Sequence, residues 1–281
     1  VSPETITAAD LPPLPWLEVI NPSVRPGRVR HALFDFDGTI SVIRCGWENV
    51  MIPLMVEMIC DHHPPTPEIE AEVAEYVDRS TGILTIKQMQ WLERTVRQHG
   101  LARLPKAARQ YKQIYNERLL RPVRQRLSQM DDSQAGRDGF MIVGARAFLQ
   151  ALSDRGVALY LASGTDHIYV TEEAAALGVT GFFGDHIYGA RDDTETYTKD
   201  RIIQRILDDH GLSGEELLVV GDGPVEIRNA KARSAVALGV AADEAKRHGL
   251  SSRKRQRLLT AGADLLVTDF SHHADLVQIL C

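Results

Sequence analysis

The sequence predicts an α/β protein: a Rossmann-like parallel sheet with helices on both faces, carrying an all-helical domain inserted just after its first strand. Three observations predict it. A short apolar run, Arg30-His-Ala-Leu-Phe-Asp-Phe-Asp37, ends in two carboxylates and Gly38, as a buried strand feeding a loop does. The 85 residues from Trp47 to Asp131 carry helical periodicity and almost no strand signal. After Gly136 helices and strands alternate, a pattern that needs crossover connections and a parallel sheet covered on both faces.

In chain order, residues 1–27 read as an N-terminal extended arm. Six prolines deny it regular hydrogen bonding, although Trp16, Leu17, Val19 and Ile20 can pack on the body. Residues 28–45 and 137–281 form the predicted Rossmann-like core, and 46–136 the helical domain. Within the latter, helices are expected near 49–60, 67–79, 85–99 and 105–130, with Gly82, Gly100 and Pro105 among the punctuation. Pro53 falls early enough in its segment to be a first-turn proline. The stripes Met51, Leu54, Met55, Met58 and Met89, Leu92, Val96 read as core faces. The second part of the core reads as helix 144–155, strand 157–163, helix 166–177, a short segment 185–189 and a helix from Lys199. Strand 217–222, a helix near 225–232 and strands near 235–240 and 264–268 complete it.

Composition is that of an ordinary globular enzyme, with 44% hydrophobic and 25% charged residues. A net charge of -6 gives no broad attraction for nucleic acid or membrane surfaces, so an anionic substrate must be drawn by local cations or a metal. Cys45, Cys60 and Cys281 are too few and scattered for a disulfide framework and read as free thiols. No apolar run approaches the ~20 residues that span a bilayer, and the arm has no signal-peptide core, so a cytoplasmic location is expected.

Ligands of open α/β sheets sit at the carboxyl ends of the strands. The first strand here ends in Asp35-Phe-Asp37-Gly-Thr39, the second in Ser163-Gly-Thr165, and a later one in Gly221-Asp222-Gly-Pro-Val-Glu226; Lys199 opens a helix between the last two. Asp35 and Asp37 are two apart, so in extended backbone they face one way. Three aspartates, a lysine and a hydroxyl on one edge suit a phosphoryl group and a hard divalent cation, which takes oxygen ligands. A carboxylate can act as nucleophile, forming an acyl phosphate, while a second one protonates the leaving alcohol and then activates water.

Phe34-Asp35-Phe36-Asp37-Gly38-Thr39 resembles the first signature of the haloacid dehalogenase-like superfamily, phosphatase branch, and the other three signatures follow in order. The resemblance spans about 28–281. It implies that Asp35 is the nucleophile, Asp37 the general acid/base, Ser163 a hydrogen-bond partner of the phosphoryl oxygens, and Lys199 the charge-balancing lysine. It further implies Mg2+ held by Asp35, Asp222 and the main-chain carbonyl of Asp37, with Glu226 at the trailing acidic position. Gly164 stands where the family often has an amide residue, and Glu226 where aspartate is commoner. The helical block resembles the family's cap inserted after the first signature, which implies a small phosphorylated metabolite as partner and substrate. Gly164, Arg44 and Trp47 are the candidate substrate-binding residues, and Ser80-Thr-Gly82 a further candidate loop.

The expected activity is a Mg2+-dependent hydrolysis of a small phosphate monoester through an aspartyl phosphate. A phosphomutase of the same superfamily and a catalytically idle regulatory binding module are the alternatives; Thr39 leans toward phosphatases, since related mutases often carry valine there. His62-His63, His272-His273 and the run Arg253-Lys-Arg-Gln-Arg257 read as surface groups.

Overall fold

A computed structural model describes residues 7–191 and 198–281. The first six residues of the predicted arm lie outside the described residues. A seven-stranded sheet runs in the order β1-β7-β6-β5-β2-β3-β4. Its strands are β1 (Leu17–Val19), β2 (His31–Phe34), β3 (Ala158–Asp166), β4 (Ile187–Ala190), β5 (Leu217–Gly221), β6 (Val236–Val240) and β7 (Leu265–Val267). All pairs are parallel except β1–β7. Strands β2, β5, β6 and β7 are buried along their whole length, which is why they read as unbroken apolar runs rather than alternating ones.

The helices are α1 (Glu48–Cys60), α2 (Pro67–Arg79), α3 (Thr85–His99), α4 (Ala108–Gln129) and α5 (Gln134–Asp138), followed by α6 (Ala145–Asp154), α7 (His167–Ala176), α8 (Thr180–Phe183), α9 (Lys199–His210), α10 (Pro224–Lys231), α11 (Ser252–Ala261) and α12 (His273–Leu280). Helices α1 to α5 come from the stretch between β2 and β3. Met51, Leu54, Met55, Met89, Leu92 and Val96 are all fully buried there, as an apolar helical stripe should be. Thr66 caps α2 by accepting from the Ile69 N–H, with Pro67 in its first position.

Three expectations need correction. The arm is not only extended chain: a 3-10 turn at Ala8–Asp10 is followed by β1, which joins the sheet edge through Leu17–Val267 and Val19–Leu265. The prolines flanking this strand hide a pairing made with residues some 250 positions away. Pro53 sits inside α1, because the helix begins at Glu48 and the proline falls in the second turn. In the run Arg253–Arg257 of α11, Arg253 and Gln256 are exposed as expected, but Lys254 is turned inward and only 6% exposed.

The sheet order positions the site. β2 lies between β5 and β3, with Phe34 opposite both Val220 and Leu161. Carrying those registers one to three residues further brings the chain after β2 level with Asp222 and Ser163. The connection leaves β2 on one side and returns on the other, so this is the switch point where open sheets form a crevice.

Candidate active site

Asp35 leaves β2 with its N–H bonded to Val220 O, which ties the start of the loop to β5. Its carboxylate accepts from Lys199 Nζ at 2.7 Å. Lys199 is the first residue of α9, set there by Thr198, whose side chain caps the helix at the Arg201 N–H. The same ammonium donates to Glu226 Oε2 at 3.1 Å. Glu226 sits at the third position of α10 and also accepts the Gly223 N–H at 2.8 Å through Oε1. Glycine at 221 is required by this approach: a Cβ there would lie 2.2 Å from Glu226 Cγ.

Asp37 points elsewhere. Its Oδ2 accepts from Thr165 Oγ1 at 3.1 Å and Ser163 Oγ at 3.3 Å, while Oδ1 is buried without a hydrogen-bond partner. Arg44 Nε lies 3.8 Å from that oxygen. Arg44 is buried and held by Glu173 of α7, its Nη2 and Nε donating at 2.6 and 3.1 Å. Burial pushes the Asp37 carboxyl up, against the pull of Arg44 and the two hydroxyls, which favours a protonated acid. Burial likewise drives Asp35 upward and outweighs Lys199.

Asp222, just past β5, accepts weakly from Thr39 Oγ1 at 3.4 Å and pairs with Lys254 Nζ at 2.7 Å; Lys254 also pairs with Glu244 at 2.7 Å. Burial alone would raise Asp222, but the Lys254 charge overrides it and holds the carboxyl below the ordinary range. Lys254 and Glu244 were not foreseen from sequence, nor were Thr165 as an Asp37 partner and Glu173. Lys254 and Glu173 are brought in by α11 and α7 packing against the strand ends, Glu244 comes from the turn after β6, and Thr165 stands two residues past Ser163 in β3.

The oxygens of Asp35, Asp222 and Glu226 lie within 4.8 Å of one another, all buried. Around them six carboxylates (Asp35, Asp37, Glu173, Asp222, Glu226, Glu244) face three cations (Arg44, Lys199, Lys254). Such an excess of buried like charge is costly unless protons or a cation offset it. An all-oxygen donor set with this charge fits Mg2+. The Asp37 carboxylate is not part of the trio, leaving its main-chain carbonyl as the group it can offer.

The cavity over these residues measures about 70 Å³. Core residues Ser163, Gly164 and Thr165 form one wall, and Arg44, Trp47, Thr81, Gly82, Ile83, Thr85, Gln88, Tyr115 and Leu119 the rest. The candidate substrate-binding residues Gly164, Arg44 and Trp47 are thus all at the cavity. The Ser80–Gly82 loop enters it too: Gly82 adopts φ +91 against Glu226 Oε2, and a Cβ on Gly164 would lie 2.4 Å from Ile83 O. Polar contacts hold the helical block over the core. Lys112 pairs with Asp166, and Asn116 donates to Asp166 at 3.2 Å; Arg253 reaches Asp78 and Glu48, and Arg257 reaches Thr81.

This is the layout of a hydrolase working at the strand ends of an open α/β sheet. The chain belongs to the haloacid dehalogenase-like hydrolase family, whose sequence profile matches residues 29–232. Solved structures share the fold. A predicted phosphoglycolate phosphatase from Haemophilus somnus superposes with TM-score 0.60 at 16% identity, over 89% of this chain and 99% of that one. A predicted phosphatase from Clostridium acetobutylicum gives 0.57 at 16%, over 89% and 99%. A β-phosphoglucomutase candidate from Bacteroides vulgatus gives 0.56 at 16%, over 93% and 90%. No curated protein matches. Among the described residues no helix is long and apolar enough to cross a membrane.

Proposed function

We infer that this protein is a Mg2+-dependent phosphatase that hydrolyses a small phosphate monoester through an aspartyl phosphate on Asp35. The observation that carries the reading is the division of labour between two carboxylates two residues apart. Asp35 is charge-paired with Lys199 at 2.7 Å, whereas Asp37 is turned away from that lysine, to the Thr165 and Ser163 hydroxyls at 3.1 and 3.3 Å.

In the first half-reaction an Asp35 oxygen attacks phosphorus. The bond from phosphorus to the ester oxygen breaks, and the proton on Asp37 passes to that leaving oxygen. Ser163 Oγ and Lys199 Nζ donate to the phosphoryl oxygens, Lys199 exchanging part of its hold on Asp35 for them. In the second half-reaction Asp37, now ionised, takes a proton from water as the water attacks phosphorus. Inorganic phosphate leaves and Asp35 returns as a carboxylate. Arg44, 3.8 Å from Asp37, steadies the ionised form between the halves. Asp35, Asp222 and Glu226, together with the Asp37 carbonyl, would hold Mg2+, which would supply the positive charge that lets a phosphate dianion approach these carboxylates.

A phosphatase or phosphomutase name attaches to several fold neighbours, and those names belong to them. The two activities share the first half-reaction and differ in the acceptor of the second. Supplying phosphosugars and short phosphate esters with Mg2+ tests the assignment. Inorganic phosphate released in step with free alcohol, and suppressed by chelator, is expected. An isomeric sugar phosphate formed without phosphate release would make the protein a mutase.

A further inference from the structure

The cavity's charge balance carries information about the rest of the substrate. Of its lining groups only Asp35, Asp37, Asp222 and Arg44 are charged. Beyond the phosphoryl end, Trp47, Ile83 and Leu119 are apolar, while Thr85, Gln88 and Tyr115 are polar and neutral. Each cation near the site is already committed. Lys199 faces Asp35 and Glu226, Lys254 faces Asp222 and Glu244, and Arg44 faces Glu173 and Asp37. The residues outside the described set, 1–6 and 192–197, contain no Lys, Arg or His, so they bring no further basic side chain.

A second anion on the substrate would therefore enter a space already rich in carboxylates, whose lining, among the described residues, offers no cation but the paired Arg44. Hydroxyl groups fit it better. Gln88 donates Nε2 to Ser80 Oγ at 3.2 Å, which leaves its carbonyl oxygen to accept. The Tyr115 and Thr85 hydroxyls have no hydrogen-bond partner among the described residues. A volume of about 70 Å³ holds only a few water-sized groups, enough for a phosphoryl group and a short chain.

We propose that the substrate is the phosphate ester of a compact, uncharged, hydroxyl-bearing alcohol, and that Glu173 enforces this choice by neutralising Arg44. The proposal rests on the phosphatase reading and narrows it. Glu173 is a positioning residue here: it touches Arg44 and does not line the cavity. Were Arg44 unpaired, its guanidinium would be a ready bidentate partner for a carboxylate.

The test compares esters of like size in which a hydroxymethyl group is replaced by a carboxylate: glycerol 3-phosphate against 3-phosphoglycerate, and 2-hydroxyethyl phosphate against phosphoglycolate. Assays run with Mg2+ at about pH 8, where the Glu173 carboxyl, pushed up to about 7 by burial, is mainly ionised. Wild-type kcat/KM should favour the neutral member of each pair by about tenfold or more. Glu173→Gln should narrow or invert those ratios, chiefly through KM for the anionic member. Para-nitrophenyl phosphate reports the chemistry separately. Phosphate release from no ester at all would sink the phosphatase reading. Release from the aryl ester with the carboxylate esters equal or preferred, or with both neutral esters refused, would overturn the substrate class alone. Should the Glu173 variant fail to fold, the wild-type ratios still decide.

Discussion

Glu226 makes two bonds at once, capping α10 through the Gly223 N–H and receiving Lys199 on its other oxygen, a span that the shorter aspartate side chain would have to split. Lys199 is thereby fixed between helix and nucleophile; burial alone would discharge its ammonium, but the Asp35 and Glu226 carboxylates outweigh that and keep it charged. Asp35→Asn keeps the shape and removes the nucleophile, so turnover should fall by at least about a thousandfold while the thermal melt stays close to wild type. Lys254 has the opposite expectation. Its ammonium sits 2.7 Å from both Asp222 and Glu244 and competes with any cation for the Asp222 charge. Lys254→Met should tighten Mg2+ binding by roughly tenfold in calorimetric titration, since two carboxylates lose their internal counter-ion. The metal-free protein should lose about 3–5 kcal/mol of stability for the same reason. Weaker Mg2+ binding in that variant would mean that Lys254 orients Asp222 rather than competing for it.

Among the elements, the α2–α3 loop and the end of β3 meet closely over the site. Gly164 has no room for a Cβ, which would lie 2.4 Å from Ile83 O. Gly164→Ala should push the loop back and lower kcat/KM by about tenfold to a hundredfold, with secondary structure unchanged by circular dichroism. A fully active Gly164→Ala enzyme would mean that the loop need not close for chemistry. The strand-end motifs were legible in the sequence because each is local. An apolar run followed by Asp35-x-Asp37-Gly or by Gly221-Asp222 announces both a strand and what its end can do. The helical stripes of α1 and α3 were legible by periodicity. What was hidden depends on distant partners. β1 is three residues among prolines and exists through β7; Lys254 looks like any lysine of a charged helix until Asp222 is placed beside it; Arg44 looks like a hinge residue until α7 delivers Glu173.

At the scale of the whole molecule, the two edges of the sheet behave differently toward protons. The carboxyl edge gathers acids, whereas the amino edge holds His31, with Nδ1 3.1 Å from the Tyr160 hydroxyl, which is itself 3.0 Å from His210 Nε2. Burial, then the nearby His210 and Arg30, holds the His31 pKa below 6.5. A histidine with a depressed folded pKa binds fewer protons folded than unfolded between the two values. Its contribution is fully present above about 6.5 and declines as pH falls below that, until the folded value is passed. Denaturant titrations at about pH 8 and 5.5 should show this loss in wild type and a smaller one in His31→Gln; an identical loss in both would remove His31 from the effect. Across the sheet, the seven strands and the helical block converge on one claim, that phosphate passes through Asp35. The most direct measurement quenches steady-state turnover of a small phosphate ester in acid, with Mg2+ present, and maps the phosphoryl group by peptide mass spectrometry. The account predicts a phosphorylated peptide containing Asp35, lost on base treatment and absent from Asp35→Asn. Turnover with the phosphoryl group on another residue, or undiminished in Asp35→Asn, would contradict it.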